Sequence, residues 1–392
     1  MRRMVVLIVL MCSFFIHAKE TKEKFPDRYK KLWDFIKSEQ CHREECGRDK
    51  GLWKSTILRR QTGEEVASDY NIFTGLQMIL LLMDLDMYYE LEDFSKMNDR
   101  FLDVLSKFYN DSEKSKPPRD FGSIAFWPYI KTETGRWAHT FSPHLRDTLF
   151  TLNVDIPNDT DDSAHGAIYL VRRQYGQNRV STFANIRYYL EPKKGAYWTW
   201  IKSEAAENNT VDCVVNINVL NAMQWISLYH PNLVKETDLI KPVQYIRSWL
   251  HKGDLVSCSE YYSRPSQFLF AFAKLHKQGR KTLFSKEDVA RAKELVLAQL
   301  TRKNKMYSLI ELSELLASYK ILHKKTLHEE SVEVEARIEQ HQRDLLNRLD
   351  SFETEMKNYK KIGSVFTGSF YESYDWYSVP QTLVTALYAV LY

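Results

Sequence analysis

Val66-Ala-Ser-Asp-Tyr-Asn-Ile-Phe-Thr-Gly-Leu-Gln-Met-Ile-Leu-Leu-Leu-Met-Asp-Leu-Asp-Met87 carries apolar residues around most of its circumference when wound at the helical period. A helix that is apolar on all sides is buried on all sides, so other elements must surround it. Residues 211–229 and 379–392 read the same way. Between them stand helices of a second kind, with one apolar stripe and a charged back: residues 28–38, 94–109, 237–250, 285–301 and the long, highly charged 327–351. In the stretch 94–109 the stripe is Phe94, Met97, Phe101, Leu102 and Leu105. Helical periodicity at 161–174, 181–190, 266–277 and 308–320 brings the series to about a dozen. Ser, Thr or Asp often opens the next helix, as N-capping chemistry prefers. The remaining long stretch, 111–158, is a loop region rich in Pro, Gly and aromatics. The expected fold class is all-α. A closed ring of helical hairpins follows, with apolar helices inside, charged ones outside and a concave site at the end where the loops converge. A helical solenoid competes with this, but no fixed-period repeat supports it.

The 392 residues are 44% hydrophobic and 27% charged, proportions of a folded globular protein. Only 13 Gly and 11 Pro are present, which disfavours an all-β fold with its many tight turns. The net charge of +4, from 55 basic and 51 acidic residues, comes without a basic run interleaved with aromatics, so no nucleic-acid partner is expected. Arg2 and Arg3 precede an apolar run from Met4 to Ile16, and Ala18 precedes a charged stretch. That pattern predicts a cleaved signal peptide over 1–18, a single domain over 19–392, and a secreted or periplasmic location. A retained leader would instead hold the protein at a membrane surface. Without the leader four cysteines remain. Cys41 and Cys46 are near enough to pair around a short loop in an oxidising compartment. Cys213 and Cys258 lie in apolar contexts and are expected to pack as small hydrophobes. Cys41, His42 and Cys46 lack a fourth zinc ligand, so no metal is expected there.

The most specific signal is Val154-Asp-Ile-Pro-Asn-Asp-Thr-Asp-Asp-Ser-Ala-His-Gly-Ala-Ile-Tyr-Leu170. Pro157 and Asn158 enforce a turn, and Asp159, Asp161 and Asp162 then lead into a helix. One reading is capping: acidic residues at a helix start satisfy free N–H groups and complement the dipole. A second is acid chemistry, because crowded carboxylates cannot all ionise and one is pushed to keep its proton. A third is a hard divalent cation held by carboxylate oxygens.

Residues 156–164, Ile-Pro-Asn-Asp-Thr-Asp-Asp-Ser-Ala, resemble the Asp-X-Asp-Asp-Thr/Ser-Ala motif of class II terpene cyclases, the squalene and copalyl diphosphate-type cyclases. The resemblance implies the α/α-toroid of terpenoid cyclases and protein prenyltransferases, here a single (α/α) toroid. It also implies Asp161 as general acid toward an alkene-bearing isoprenoid, with Asp159 and Asp162 in support, and neither metal nor cofactor.

Further residues are candidates for lining a pocket. Residues 211–221 place Asp212, Asn216, Asn218 and Asn221 in an otherwise apolar helix, and Asn216 either caps a neighbouring loop or faces the interior. Trp127, in the aromatic loop 121–129, and Tyr197, Trp198 and Trp200, in the loop 195–200, flank the acidic segment. Aromatic faces stabilise cations and also stack on sugars, so they do not separate terpene from carbohydrate chemistry. Tyr261 and Arg264 precede one apolar helix, and Tyr374 and Trp376 precede the last. His139 and His144 lie in the loop before the cluster, and His165 is positioned to orient a carboxylate. No Ser/His/Asp triad or phosphate-binding glycine loop is visible.

Three functions remain open: terpene-cyclase-like cyclisation or isomerisation; an exported carbohydrate-active hydrolase or lyase pairing Asp161 with Asp212 or Glu372; and a non-catalytic binding protein. All three take a small-molecule ligand, isoprenoid or carbohydrate. A dry aromatic cavity with one buried Asp would favour the first, and an open groove with carboxylates ~5–10 Å apart the second.

Overall fold

A computed structural model describes residues 22–41, 51–59, 65–108, 123–124, 129–131, 137–139, 158–174, 184–201, 209–278, 283–323, 331–368 and 374–392. The expected leader and the residues Cys46, Trp127, His144 and Glu372 lie outside them. No described helix is long and apolar enough to cross a membrane.

The helices are α1 (Lys30–Glu39), α2 (Ile72–Asp86), α3 (Phe94–Leu105), α4 (Thr160–Arg172), α5 (Cys213–Tyr229), α6 (Glu236–Lys252), α7 (Pro265–Gln278), α8 (Lys286–Leu300), α9 (Leu309–His323), α10 (Val332–Asp350) and α11 (Val379–Leu391), with short turns at Phe352–Glu355 and Tyr359–Ile362. Six of them close a ring: α2 packs on α4, α4 on α5, α5 on α7, α7 on α9, α9 on α11, and α11 back on α2. These inner helices are buried almost all round, as in α5, where every residue from Cys213 to Gln224 is buried. The others form an outer layer, each burying one stripe; the 19-residue α10 buries only Ile338, Leu345 and Leu349. The chain is an α/α toroid, inner helices apolar and outer ones charged.

Because an outer segment separates successive inner helices, the inner ones run in one direction. Their N-terminal halves meet at one end, where Gln381 near the start of α11 bonds Gln77 of α2.

The local starts follow capping chemistry. Asn71 Oδ1 accepts from Thr74 N at 3.0 Å and begins α2 there. The helix expected over 66–87 therefore starts late. Its first residues instead form strand β2 (Glu65–Asp69), paired with β1 (Ser55–Arg59). With Phe366–Gly368 (β5) and Tyr374–Tyr377 (β6) they make a four-stranded antiparallel sheet of order β5-β6-β1-β2. The short β3 (Asn158–Asp159) and β4 (Trp200–Ile201) pair antiparallel beside the acidic segment. The segment expected to be a helix over 181–190 is a 3-10 helix at Ala184–Tyr189, and hairpins complete that side of the outer layer.

One cysteine expectation is corrected. Cys213 and Cys258 do not pack as free hydrophobes; they form a disulfide, with Cα atoms 5.5 Å apart. Cys213 opens α5 and Cys258 lies in the turn before α7, so the bridge ties two helix starts together. Their apolar surroundings concealed a pairing across a sequence separation of 45. Cys41 is also disulfide-bonded.

Candidate active site

Asp159 is the cap. Its carboxylate accepts the backbone N–H of Asp161 and, at 3.2 Å, that of Asp162, starting α4. Ser163 Oγ donates to Asp159 O at 2.6 Å and accepts from Ile124 N at 2.9 Å, binding the cap to the strand beside it. Gly166 allows that approach: a Cβ there would stand 2.0 Å from Ile124 Cδ1.

With capping assigned to Asp159, Asp161 is free for another task. Its side chain is buried, with Oδ1 accepting from Asn218 Nδ2 at 2.8 Å and Oδ2 accepting the Tyr262 hydroxyl. His165, one turn on, brings Nδ1 to 3.5 Å from Oδ1. Burial lowers the His165 pKa against the pull of Asp161, so the ring is neutral at pH 7. Asp162 has the opposite surroundings. Both its oxygens are buried without a hydrogen-bond partner. Burial first, then Asp159 and Asp161, push its pKa well above the carboxylate range, so Asp162 holds a proton. Asp159 is also raised by burial and Asp161, against the two N–H groups it accepts. Among the described residues no three His, Cys, Asp or Glu side chains form a metal-binding group.

Asp212 repeats the capping logic one helix along. One oxygen accepts Val214 N and Val215 N at 2.7 and 3.2 Å, capping α5. The other accepts Glu260 N and Tyr261 N at 2.8 and 3.1 Å. Together with the Cys213–Cys258 bridge, this pins the turn that carries Tyr262 and sets its hydroxyl on Asp161. Burial lifts Asp212 from the ordinary 3.8 to about 6 despite those N–H groups. The folded state then binds a proton between about pH 4 and 6 that the unfolded chain does not, so stability falls as pH rises through this window. Asp159 and Asp162 act in the same sense. Urea titrations from pH 4 to 7 should show Asp212→Asn gaining on the wild type by on the order of 3 kcal/mol across it. A constant difference between the two proteins would contradict this.

Beyond Asn218 and Tyr262, the two donors to Asp161, lies a cavity in the ring with room of ≈ 30 Å³ for water centres. That exceeds the ~10–15 Å³ one water requires. Its lining is mostly polar: the amides of Gln77, Asn218, Gln267 and Gln381, the hydroxyls of Tyr262 and Thr385, and the ionisable Lys274 and Glu314, with Leu81, Val214, Phe270, Ala271 and Val365 between them. Asp161 reaches it through its two donors, Asn218 and Tyr262. Glu314 on α9 is held by Arg264 at 3.3 Å and by Ser266 Oγ at 2.6 Å. Burial raises the Glu314 pKa, and Arg264 and Ser266 oppose that rise. Burial lowers that of Lys274, opposed by Asp84, Asp161 and Glu314.

Other residues expected at the pocket make the following bonds. Asn216 takes the loop-capping role: its amide accepts from Tyr197 N at 2.6 Å and donates to Tyr197 O at 2.9 Å. The Tyr197 hydroxyl donates to Asp238 O at 3.0 Å. Trp198 N donates to Tyr189 O at 2.9 Å. Trp200 donates from Nε1 to the Tyr261 hydroxyl at 2.9 Å, their rings edge to face. Arg264 is committed to Glu314 and the Ser364 carbonyl. Tyr374 and Trp376 pair in the sheet opposite Arg59 and Ile57. The sequence reading missed Asn218 as the Asp161 partner, and Tyr262, Lys274 and Glu314 altogether. The available signal was a lone polar side chain in an apolar inner helix, as in Phe268-Leu-Phe-Ala-Phe-Ala-Lys-Leu275.

No family model matches the chain, and no curated protein does either. Solved structures do. A D-mannose isomerase superposes with a TM-score of 0.51 at 11% identity, over 94% of this chain and 99% of that one. The ent-copalyl diphosphate synthase from Streptomyces platensis superposes with a TM-score of 0.49 at 14% identity, over 82% of this chain. The chain spans half the length of that synthase. At these identities the likeness is one of fold, and the fold is the α/α toroid that the helical pattern and the motif implied.

Proposed function

We propose that the protein is an acid–base enzyme whose substrate is a small, hydroxyl-bearing molecule of the sugar class. The carrying observation is the cavity, which sets Glu314 and the Asp161–Tyr262 pair among side-chain amides and hydroxyls. Amides and hydroxyls both donate and accept, as a polyol requires, and they leave a hydrocarbon unsolvated. Glu314 is an ionised carboxylate against Arg264 in the empty site, and burial raises its pKa, so it takes a proton from the substrate and returns it as the product forms. Tyr262 takes one up and hands its own to Asp161, whose carboxylate already accepts that hydroxyl. The two groups thus serve as acid and base on either side of the bound molecule.

Cyclisation or isomerisation of an isoprenoid is the second reading, favoured by Asp161 within its Asp-X-Asp-Asp segment. In that case Asp161 acts as the acid, its proton passing through Tyr262 to the alkene. The polar lining weighs against it. Export to an oxidising compartment is part of the proposal, supported by the Cys213–Cys258 disulfide.

Calorimetry against D-mannose, D-glucose, D-glucuronate and geranylgeranyl diphosphate separates the readings. Binding of at least one sugar, with turnover reduced about 10²- to 10⁴-fold in Glu314→Gln, is expected. Binding of the diphosphate alone would transfer the site to the second reading.

A further inference from the structure

Among the described residues that line the cavity, the charge of Lys274 has no ion-pair partner. Lys274 lies on inner helix α7 among the buried Phe268, Phe270, Ala271 and Leu275, and its ammonium stands 4.8 Å from the Phe270 ring centroid. Other cations inside the ring are matched: Arg172 meets Asp84 at 2.7 Å, and Arg264 meets Glu314 at 3.3 Å. Among the described residues no carboxylate oxygen comes within 4.0 Å of Lys274. The anions that act on it, Asp84 from α2, Asp161 from α4 and Glu314 from α9, do so at longer range. Each already has a partner, in Arg172, in Asn218 with Tyr262, and in Arg264.

Lys274 is half-buried, so its ammonium still meets water in the cavity while no fixed anion holds it and one aromatic face attracts it only weakly. An anion that enters the cavity therefore meets an unpaired cation. Gln77 shares that lining with Lys274, and its amide N–H groups offer donors to the same group, while its Oε1 accepts from Gln381. One cation beside Glu314 balances a single negative charge, which fits a carboxylate and leaves a phosphate dianion uncompensated.

We propose that Lys274 is the receptor for a carboxylate on the substrate, which makes the substrate a sugar acid. This rests on the sugar-class reading above, and the test keeps the two apart. The full chain is titrated calorimetrically with D-glucuronate and with D-glucose, in the wild type, Lys274→Met and Lys274→Gln. A charged hydrogen bond in a desolvated site gives the acid about a 10- to 100-fold tighter Kd. Both variants lose that preference while keeping the affinity for D-glucose. Their Tm stays level, because the half-buried ammonium has no ion-pair partner to lose. Equal affinity of the wild type for acid and neutral sugar overturns the inference and leaves the sugar reading standing. A preference for the acid that survives in both variants overturns it as well. Failure of D-mannose, D-glucose and D-glucuronate alike to bind removes the reading itself, and the inference falls with it.

Discussion

Replacing Asp161 with alanine lowers the unfolding free energy by about 2–6 kcal/mol, while the same change at Asp162 costs under about 1 kcal/mol or stabilises. The two residues are adjacent, equally buried and in the same first turn of α4. What differs is their hydrogen bonding. Truncating Asp161 strands the Asn218 amide and the Tyr262 hydroxyl, two buried donors at about 1–3 kcal/mol each. Truncating Asp162 removes two oxygens that bond nothing, and with them a desolvation cost. Urea denaturation of the two variants reads the contrast directly. Equal losses would mean that Asp161 contributes only as a packed side chain. Asp161→Asn tests chemistry instead of scaffolding: it keeps the volume and removes the proton acceptor, and turnover falls about 10²- to 10⁴-fold.

The second large effect belongs to the Cys213–Cys258 bridge. It closes a loop with a sequence separation of 45, and the chain-entropy relation gives about 4 kcal/mol for such a loop. For a chain of 392 residues this corresponds to a Tm lower by about 5 °C in the Cys213→Ser/Cys258→Ser double variant. The bridge also clamps the turn whose backbone N–H groups bind Asp212 and whose Tyr262 holds Asp161. Ligand affinity should therefore fall along with the Tm. A melting curve unmoved by both the double variant and a reducing agent would show that the bridge is dispensable.

The ring was legible because burial imposes a pattern. Inner helices must be apolar all round and outer ones on one stripe, and residues 211–229 and 327–351 differ in that respect at sight. Element starts were less legible where a cap competes with periodicity. Asn71 divides a continuous apolar run into strand and helix through one side-chain bond. Asp161 stood out because three carboxylates in four residues exceed what capping uses. Its partners did not, because they come from other helices. Asn218 lies 57 residues away and Tyr262 lies 101 away, so no local spacing joins them. Asn216 was the more conspicuous amide, standing one helical turn from Asp212, and that proximity fits it to cap the loop at Tyr197. In the loop 195–200, Trp200 is conspicuous in sequence, and in space its Nε1 donates to the Tyr261 hydroxyl.

Ring closure also fixes when the protein becomes competent. The seam lies between α2 and α11, the first and last inner helices in chain order among the described residues. Gln381 and Thr385 on α11 complete the cavity lining, and the ion pair of Arg28 with Asp350 and the bond from the Tyr89 hydroxyl to Leu391 O add to the same join. A nascent chain holding every earlier helix still lacks one wall. Until α11 docks on α2 such a chain is an open arc, and the polar cavity is unclosed on that side.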